Sequence, residues 1–143
     1  MAINQLSVFL ENKPGSLIEV TDVLGKAGID IRAMSIADTR DFGILRLIVS
    51  DTQSAKDLLS GIGCVASITS VVGVAVSDQP GALTQITRIL CENGTNIEYM
   101  YAFLTRRGSS AYVVLRVNNN GLAEKLLAER GVELLCEDDI KRL

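Results

Sequence analysis

Apolar residues recur along this chain with two alternating periods. Runs with an apolar residue at every second position predict β-strands with one buried face, and runs with helical spacing predict amphipathic helices. The elements follow the order strand, helix, strand, strand, helix, strand, and this order occurs twice. The apolar strand positions are Leu6, Val8, Leu10, Leu45, Leu47 and Val49, then Val72, Val74, Val76, Val113, Leu115 and Val117. The first helix of each half carries Leu17, Val20, Thr21, Leu24 and Ala27, then Leu83, Ile86, Thr87 and Leu90.

The two prolines of the chain mark an internal repeat. Pro14 and Gly15 match Pro80 and Gly81 at an offset of 66 residues. The same offset gives the identical pairs Leu17/Leu83, Thr21/Thr87, Leu24/Leu90, Gly28/Gly94, Ile31/Ile97 and Met34/Met100. We therefore predict two domains, 1–69 and 70–143. Because no Gly/Ser-rich or Pro-rich linker separates them, we expect two α+β units packed together. Each unit is expected to have the ferredoxin-like βαββαβ fold, an antiparallel sheet with helices on one face.

Smaller features of the pattern predict the element boundaries. The second strands are expected at 29–38 and 95–105, and the fourth strands near 64–68 and 132–136. Gly28 and Gly94 are expected to end the first helices in a left-handed conformation. A final short helix is predicted over 137–143, where acidic residues come first and basic residues last, as the helix dipole favours.

Composition excludes several classes of function. The 143 residues carry a net charge of −3 and include no histidine, so neither a basic nucleic-acid surface nor a histidine-based metal site or triad is expected. The apolar run 71–76 is too short to span a membrane, and the first residues lack a secretory signal. Cys64, Cys91 and Cys136 are odd in number and far apart, as expected of small buried or half-buried thiols in a reducing cytoplasm. We expect no cofactor and no metal.

The loop between the first strand and first helix of each half is the candidate site. Proline pre-sets the backbone for a helix start, and glycine lets a ligand approach the chain closely. The amides that follow suit a carboxylate, and Asp78 would attract an ammonium group, so a zwitterion matches both. Asn12 accepts the same hydrogen bond without the charge. In the alternative interpretation, Asn12 and Asp78 are ordinary helix N-caps. The candidate residues are Asn12, Pro14, Gly15, Ser16, Leu17, Asp78, Pro80, Gly81, Ala82 and Leu83.

The order of elements, the (Asn/Asp)-x-Pro-Gly-x-Leu loop and the Gly-x-(Asp/Asn)-Ile segment resemble ACT domains. That family consists of small regulatory modules that bind amino acids, often at the interface between two copies. The resemblance covers essentially the whole chain, as a stand-alone tandem pair. It implies that the strand starts at Asp30, Ile31, Asn96 and Ile97 form the wall supplied by a neighbouring copy. Some amino-acid-binding members have a histidine where this chain has Leu10 or Val76, so the resemblance does not identify the ligand.

The resemblance implies a cytoplasmic regulatory protein without catalysis of its own. It would bind a small amino acid, form a homo-oligomer such as a dimer, and act on a regulated enzyme or regulator, with no nucleic acid or membrane partner. One alternative is a ligand-independent protein–protein interaction module that pairs through an edge strand. Another is a small enzyme on the same scaffold, although the three cysteines have no histidine partner.

Other residue groups have two interpretations each. Tyr99, Tyr101 and Phe103 are expected to pack against the helices, or alternatively to line a pocket or a subunit interface. The arginines of Thr39-Arg40 and Thr105-Arg106-Arg107 are expected to be solvated in turns, or alternatively to bind an acidic ligand. The segments 50–52 and 118–121 are expected to be turns and helix caps.

Overall fold

The computed structural model describes residues 2–38, 40–105 and 108–143. The chain divides into two compact units. One unit is Asn4–Thr69, and the other is Ser70–Leu143 together with Met1–Ile3. The division into domains 1–69 and 70–143 stays a prediction.

The first unit is an antiparallel sheet with two helices. Its elements are β1 (Ile3–Glu11), α1 (Ser16–Lys26), β2 (Ile31–Asp38), β3 (Phe42–Val49), α2 (Thr52–Gly61) and the start of β4 (Ala66–Ser77). The strand order is β2-β3-β1-β4. β1 and β3 pair with Leu6 opposite Leu47 and Leu10 opposite Gly43, which places their apolar alternation on the same face. This is the βαββαβ ferredoxin-like arrangement predicted from the pattern.

The second unit repeats this arrangement with the rest of β4. Its other elements are α3 (Ala82–Glu92), β5 (Ile97–Ala102), β6 (Ser110–Val117), α4 (Asn120–Glu129), β7 (Leu134–Leu135) and α5 (Glu137–Arg142). The strand order is β5-β6-β4-β7. The closing helix lies where the acidic-to-basic pattern predicts it.

Each unit has one apolar core between the sheet and its two long helices. The first core is built from Leu6, Val8, Leu10, Val20, Leu24, Ile29, Leu45, Leu47, Val49, Ala55 and Leu59. The second is built from Val72, Val74, Val76, Ile86, Leu90, Val113, Leu115, Val117, Ala123 and Leu127. All of the strand positions predicted to be apolar and inward-facing belong to these cores, so the period-two prediction is confirmed.

One prediction about the strands is wrong. A separate fourth strand near 64–68 and a new first strand from residue 70 were expected, but Ala66–Ser77 is a single strand of 12 residues. No glycine or proline lies between Ala66 and Val72, so nothing in the local sequence interrupts the extended backbone. The counterpart in the second unit, β7, has only 2 residues.

Glycine ends the first helix of each unit, as predicted. Gly28 and Gly94 both have φ of 72°, in the left-handed region. The next amides, of Ile29 and Thr95, donate to the carbonyls of Leu24 and Leu90 at 3.0 and 2.9 Å. This is the 6→1 bond of a Schellman motif, which satisfies carbonyls that the helix leaves free.

Candidate functional site

The candidate loops join β1 to α1 and β4 to α3. Gly15 and Gly81 are the N-cap residues of the two helices, with φ of 90° and 86°, and as glycines they supply no side-chain cap hydrogen bond. The interpretation of Asn12 and Asp78 as N-caps is therefore wrong. A left-handed glycine sets the helix start three residues after the polar side chain, beyond the usual reach of an N-cap.

Backbone hydrogen bonds hold both loops in the same conformation. The amides of Asn12 and Asp78 donate to the carbonyls of Asp41 and Ser109 at 3.0 and 3.1 Å, and these residues directly precede β3 and β6. The first bond of the helical ladder runs from the amide of Glu19 to Gly15 in one unit, and from Gln85 to Gly81 in the other.

The amides of Leu17 and Leu83 precede those ladder bonds, so the helix itself provides them with no acceptor. They lie at the positive end of a helix dipole, where an anionic group is stabilised. The amides of Ser16 and Ala82 donate to the carbonyls of Lys13 and Gln79, at 3.4 and 3.2 Å. Leu17 and Leu83 are therefore the better-placed donors for an external carboxylate.

A pocket of about 400 Å³ adjoins the loop of the second unit. It contains all the candidate residues of that loop, from Asp78 to Leu83. Its floor consists of small and branched apolar side chains from β4, β5 and β6: Val76, Ala102, Ala111 and Val113. The polar loop at the rim suits the charged groups of a zwitterion, and the apolar floor suits an apolar side chain.

The matching pocket of the first unit is much smaller, at about 110 Å³. It is lined by Asn12, Ser16 and Leu17, and by Ile36 and Gly43 of the facing strands. Ile36 stands at the repeat position of Ala102. The sequence interpretation placed neither residue at the loop, although the offset of 66 residues that aligns the prolines also aligns this pair.

The strand starts named by the resemblance lie at the other end of each sheet. Ile31 pairs with Val49 at the end of β3, whereas the loop lies beside Gly43 at its beginning. Six residues of extended strand separate these points by about 20 Å. Within one unit, the structure therefore does not bring Asp30 and Ile31 to Asn12. Asn96 and Ile97 are likewise at the far end of their sheet from Asp78, because Ile97 pairs with Val117.

A side chain from the facing strand end anchors each strand start. The Ser50 hydroxyl accepts from the amide of Asp30 at 2.9 Å, and the Asn118 side chain accepts from the amide of Asn96 at 3.1 Å. Arg32 also forms an ion pair with Asp30. The neighbouring residues Asp51 and Asn119 cap α2 and α4, which confirms the turn-and-cap prediction for these segments.

The tyrosines of β5 do not pack against the helices as expected. Tyr99 pairs with Arg116 and Tyr101 with Val114, whereas the residues that join the helix-side core are Val113, Leu115 and Val117. Directly paired residues share a face, so the tyrosines lie on the opposite face of the sheet. Phe103 is on this face too, 6.0 Å from the ring of Tyr112 in a T-shaped contact.

Charged groups distinguish the two loops. In the first unit, the Lys13 ammonium lies 3.0 Å from the Glu11 carboxylate, and this hydrogen bond and charge raise the pKa of Lys13. The matching residues of the second unit are Gln79 and Ser77, so Asp78 is the one charged residue of positions 77–83. Of the turn arginines, Arg40 is exposed, whereas Arg106 and Arg107 lie outside the described residues, as does Thr39.

The three cysteines are free thiols in different environments. Cys64 and Cys136 are half-buried, as expected, but Cys91 is exposed on α3. Burial, and secondarily the charge of Glu19, raise the pKa of Cys64, which favours the protonated thiol. Within residues 2–38, 40–105 and 108–143, no group of cysteine, aspartate and glutamate side chains could hold a metal ion. No helix in these ranges is both long and apolar enough to cross a membrane.

The geometry defines a class of protein: a duplicated ferredoxin-like domain pair, with equivalent loops at two helix starts whose N-cap is glycine. Comparison with family models gives a match over residues 1–143 to the model described as "ACT domain pair". The chain belongs to this ACT family, which confirms the resemblance.

Solved structures give the same answer for the fold. A protein of Bacteroides thetaiotaomicron shares 43% identity, with a TM-score of 0.93, over 100% of this chain and 98% of its own. The regulatory subunit of aspartate kinase from Thermus thermophilus, in its ligand-free form, shares 16% identity with a TM-score of 0.65 over 88% of this chain and 91% of its own. A structure of aspartokinase alpha and beta subunits shares 20% identity with a TM-score of 0.55, over 90% and 95%. No match was found among the curated proteins.

Proposed function

We propose that this protein is a regulatory sensor that binds a small amino acid at the loops preceding α1 and α3, without catalysis of its own. The observation that carries the proposal is the pair of helix starts at left-handed N-cap glycines, Gly15 and Gly81, which have no side chain of their own to cap the first amides. In the second unit, this helix start adjoins a pocket of about 400 Å³ with an aspartate in its lining. Membership of a family of regulatory domains supports the same function.

The residues of the loop fit the three parts of an amino acid. The α-carboxylate would accept from the amide of Leu83 at the helix start, where the dipole stabilises negative charge. The α-ammonium group would lie against the Asp78 carboxylate in a charge-assisted hydrogen bond. The side chain would enter the apolar part of the pocket, between Ala102, Ala111 and Val113. In the first unit Asn12, Pro14 and Gly15 would have the corresponding roles.

We further propose that a second molecule of the chain completes the site in a homodimer. Asp30, Ile31, Asn96 and Ile97 lie at the far ends of their own sheets from the loops, so a wall built from them would have to come from outside the unit that holds the loop. Ligand binding would then stabilise the dimer and change its affinity for a regulated enzyme or regulator, because a ligand shifts any equilibrium between states that it binds unequally. We place this function in the cytoplasm, which the three free thiols support.

A thermal-shift screen with the proteinogenic L-amino acids, followed by titration calorimetry, tests the proposal. Asp78→Ala is expected to weaken binding by about tenfold or more, because it removes a charge-assisted hydrogen bond. Asn12→Ala is expected to have a smaller effect, and Asp138→Ala, an exposed carboxylate on α5, is the matched control. Failure of every amino acid to bind the folded protein would overturn the proposal, and equal losses for Asp78→Ala and Asn12→Ala would contradict the charge argument.

A ligand-independent interaction module remains the second candidate. β5 is the outermost strand of its unit, and Leu104, just beyond it, is 67% exposed. An exposed edge strand can pair with a strand of another chain. Sedimentation at several protein concentrations, with and without amino acids, separates the candidates, because assembly that ignores every amino acid favours the interaction module.

A further inference from the structure

The two candidate pockets are equivalent in the repeat but unequal in space and charge. We propose that each chain holds its ligand at the second loop only, and that Ile36 closes the first site. This inference rests on the proposed function and adds to it which loop is occupied and which residue decides this.

Space is the first argument. Ile36 of β2 and Ala102 of β5 occupy the same repeat position, and each lines the pocket of its own unit. The Ile36 Cγ2 atom would lie 3.7 Å from a Cβ built on Gly43, so this side chain reaches across to the facing strand of the pocket. Ala102 ends at its Cβ and leaves the corresponding volume open. The pockets measure about 110 Å³ and about 400 Å³, and only the second falls within the usual size range of a small-molecule site.

Charge is the second argument, and it is independent of pocket size. Lys13 lines the first pocket and lies 3.0 Å from Glu11, so an ammonium group is already present beside Asn12. A ligand ammonium at this loop would meet the Lys13–Glu11 ion pair, which carries no net charge, and the neutral amide of Asn12. At the second loop it would meet the Asp78 carboxylate, with the neutral Ser77 and Gln79 on either side. Both arguments favour the second loop for a zwitterion.

Reciprocal variants test the assignment. Ala102→Ile is expected to weaken the binding of the amino acid with the largest thermal shift by about tenfold or more, because it fills the occupied pocket. Ile36→Ala is expected to enlarge the pocket of the first loop and to leave the affinity at the second loop unchanged, because Ile36 lines only the first pocket. The matched controls are Ala37→Ile, at an exposed position of β2, and Ile68→Ala, a partly exposed isoleucine of β4. Neither control residue lines either pocket.

Stoichiometry and amide shifts give readouts that do not depend on the variants folding. Calorimetry of the unmodified chain is expected to give one ligand per chain, with amide chemical-shift changes at Gly81 and none at Gly15. Two ligands per chain, or shifts at Gly15 alone, would overturn the assignment while leaving the proposed function intact. Silence for every amino acid would refute the proposed function itself, and this inference with it.

Discussion

Thr95 allows the free-energy cost of an unpaired buried hydroxyl to be measured, because among the described residues its Oγ1 has no hydrogen-bond partner. The side chain is 4% exposed. Ile29 stands at the same position of the first unit, is 8% exposed and belongs to the apolar core. The two backbones are held alike, by the amide bonds to Leu90 and Leu24. The repeat thus compares a hydroxyl with an apolar group in one environment.

The expected effect follows from the cost of an unpaired buried polar group, which is about 1–3 kcal/mol. Thr95→Val keeps the shape of the side chain and replaces the hydroxyl by a methyl group. We expect it to raise the free energy of unfolding by about 1 kcal/mol, and the melting temperature by about 3 °C. The reverse change, Ile29→Thr, is expected to lower the free energy of unfolding by about 1–3 kcal/mol, because it creates the same unpaired group.

Urea denaturation followed by circular dichroism measures these changes. The slope with denaturant is expected to stay constant, so the difference should appear as a shift of the midpoint. Thr84→Val, at an exposed position of α3, is the matched control and should change stability by less than about 0.5 kcal/mol. A Thr95→Val protein no more stable than the unmodified one would show that the hydroxyl is satisfied in solution, and the reasoning would fail.

Two further predictions concern glycine and cysteine. Gly73→Ala is expected to lower the free energy of unfolding by about 1–3 kcal/mol, because a Cβ there would lie 3.1 Å from the Leu135 Cβ and 3.0 Å from the Ile3 Cδ1. Gly25→Ala, in the last turn of α1 with nothing within 4 Å of the added Cβ, should instead raise the free energy of unfolding, by at most about 0.8 kcal/mol in the same urea assay, and a decrease like that of Gly73→Ala would contradict the packing argument. Iodoacetamide is expected to label Cys91 before Cys64, whose raised pKa keeps the thiol protonated to higher pH than in the urea-unfolded chain. Mass spectrometry should find that Glu19→Gln accelerates labelling of Cys64 alone, whereas an unchanged rate would exclude the contribution of the Glu19 charge.

The cores could be predicted from sequence because burial of one strand face acts directly on every second residue. Leu45, Leu47 and Val49, for example, alternate without interruption and all enter the first core. The face of the tyrosines could not be predicted in this way. The pairing of β5 with β6 shifts register between Ile97 and Tyr99, so Ile97 faces the core and Tyr99 does not. A bulge depends on the backbone of both paired strands, so it cannot be predicted from the alternation of side chains in one of them.

Part of the candidate site could likewise be predicted from the sequence, and part could not. Pro14 and Gly15 correctly indicated the loop, because their backbone preferences are local, although the helix begins after both, at Ser16. The choice between cap and ligand group for Asn12 depended on where the helix begins, which the left-handed Gly15 decides. The pocket volumes depended on Ile36 and Ala102, which reach the loop only through the pairing of distant strands. Contacts between distant segments were therefore the part that the sequence did not reveal.

Ile36 lines the candidate pocket of the first unit but contributes little to the stability of that unit. Its side chain is 48% exposed and does not belong to the buried core, so the fold does not require a large residue there. Positions that the fold does need keep the same role in both units, such as Ser50 and Asn118, which anchor the strand starts. On the proposed assignment, the bulk of Ile36 acts on the pocket of the first loop, where Ala102 stands in the second unit. Ile36→Ala should therefore change access to the first loop while leaving the stability of the unit nearly unchanged.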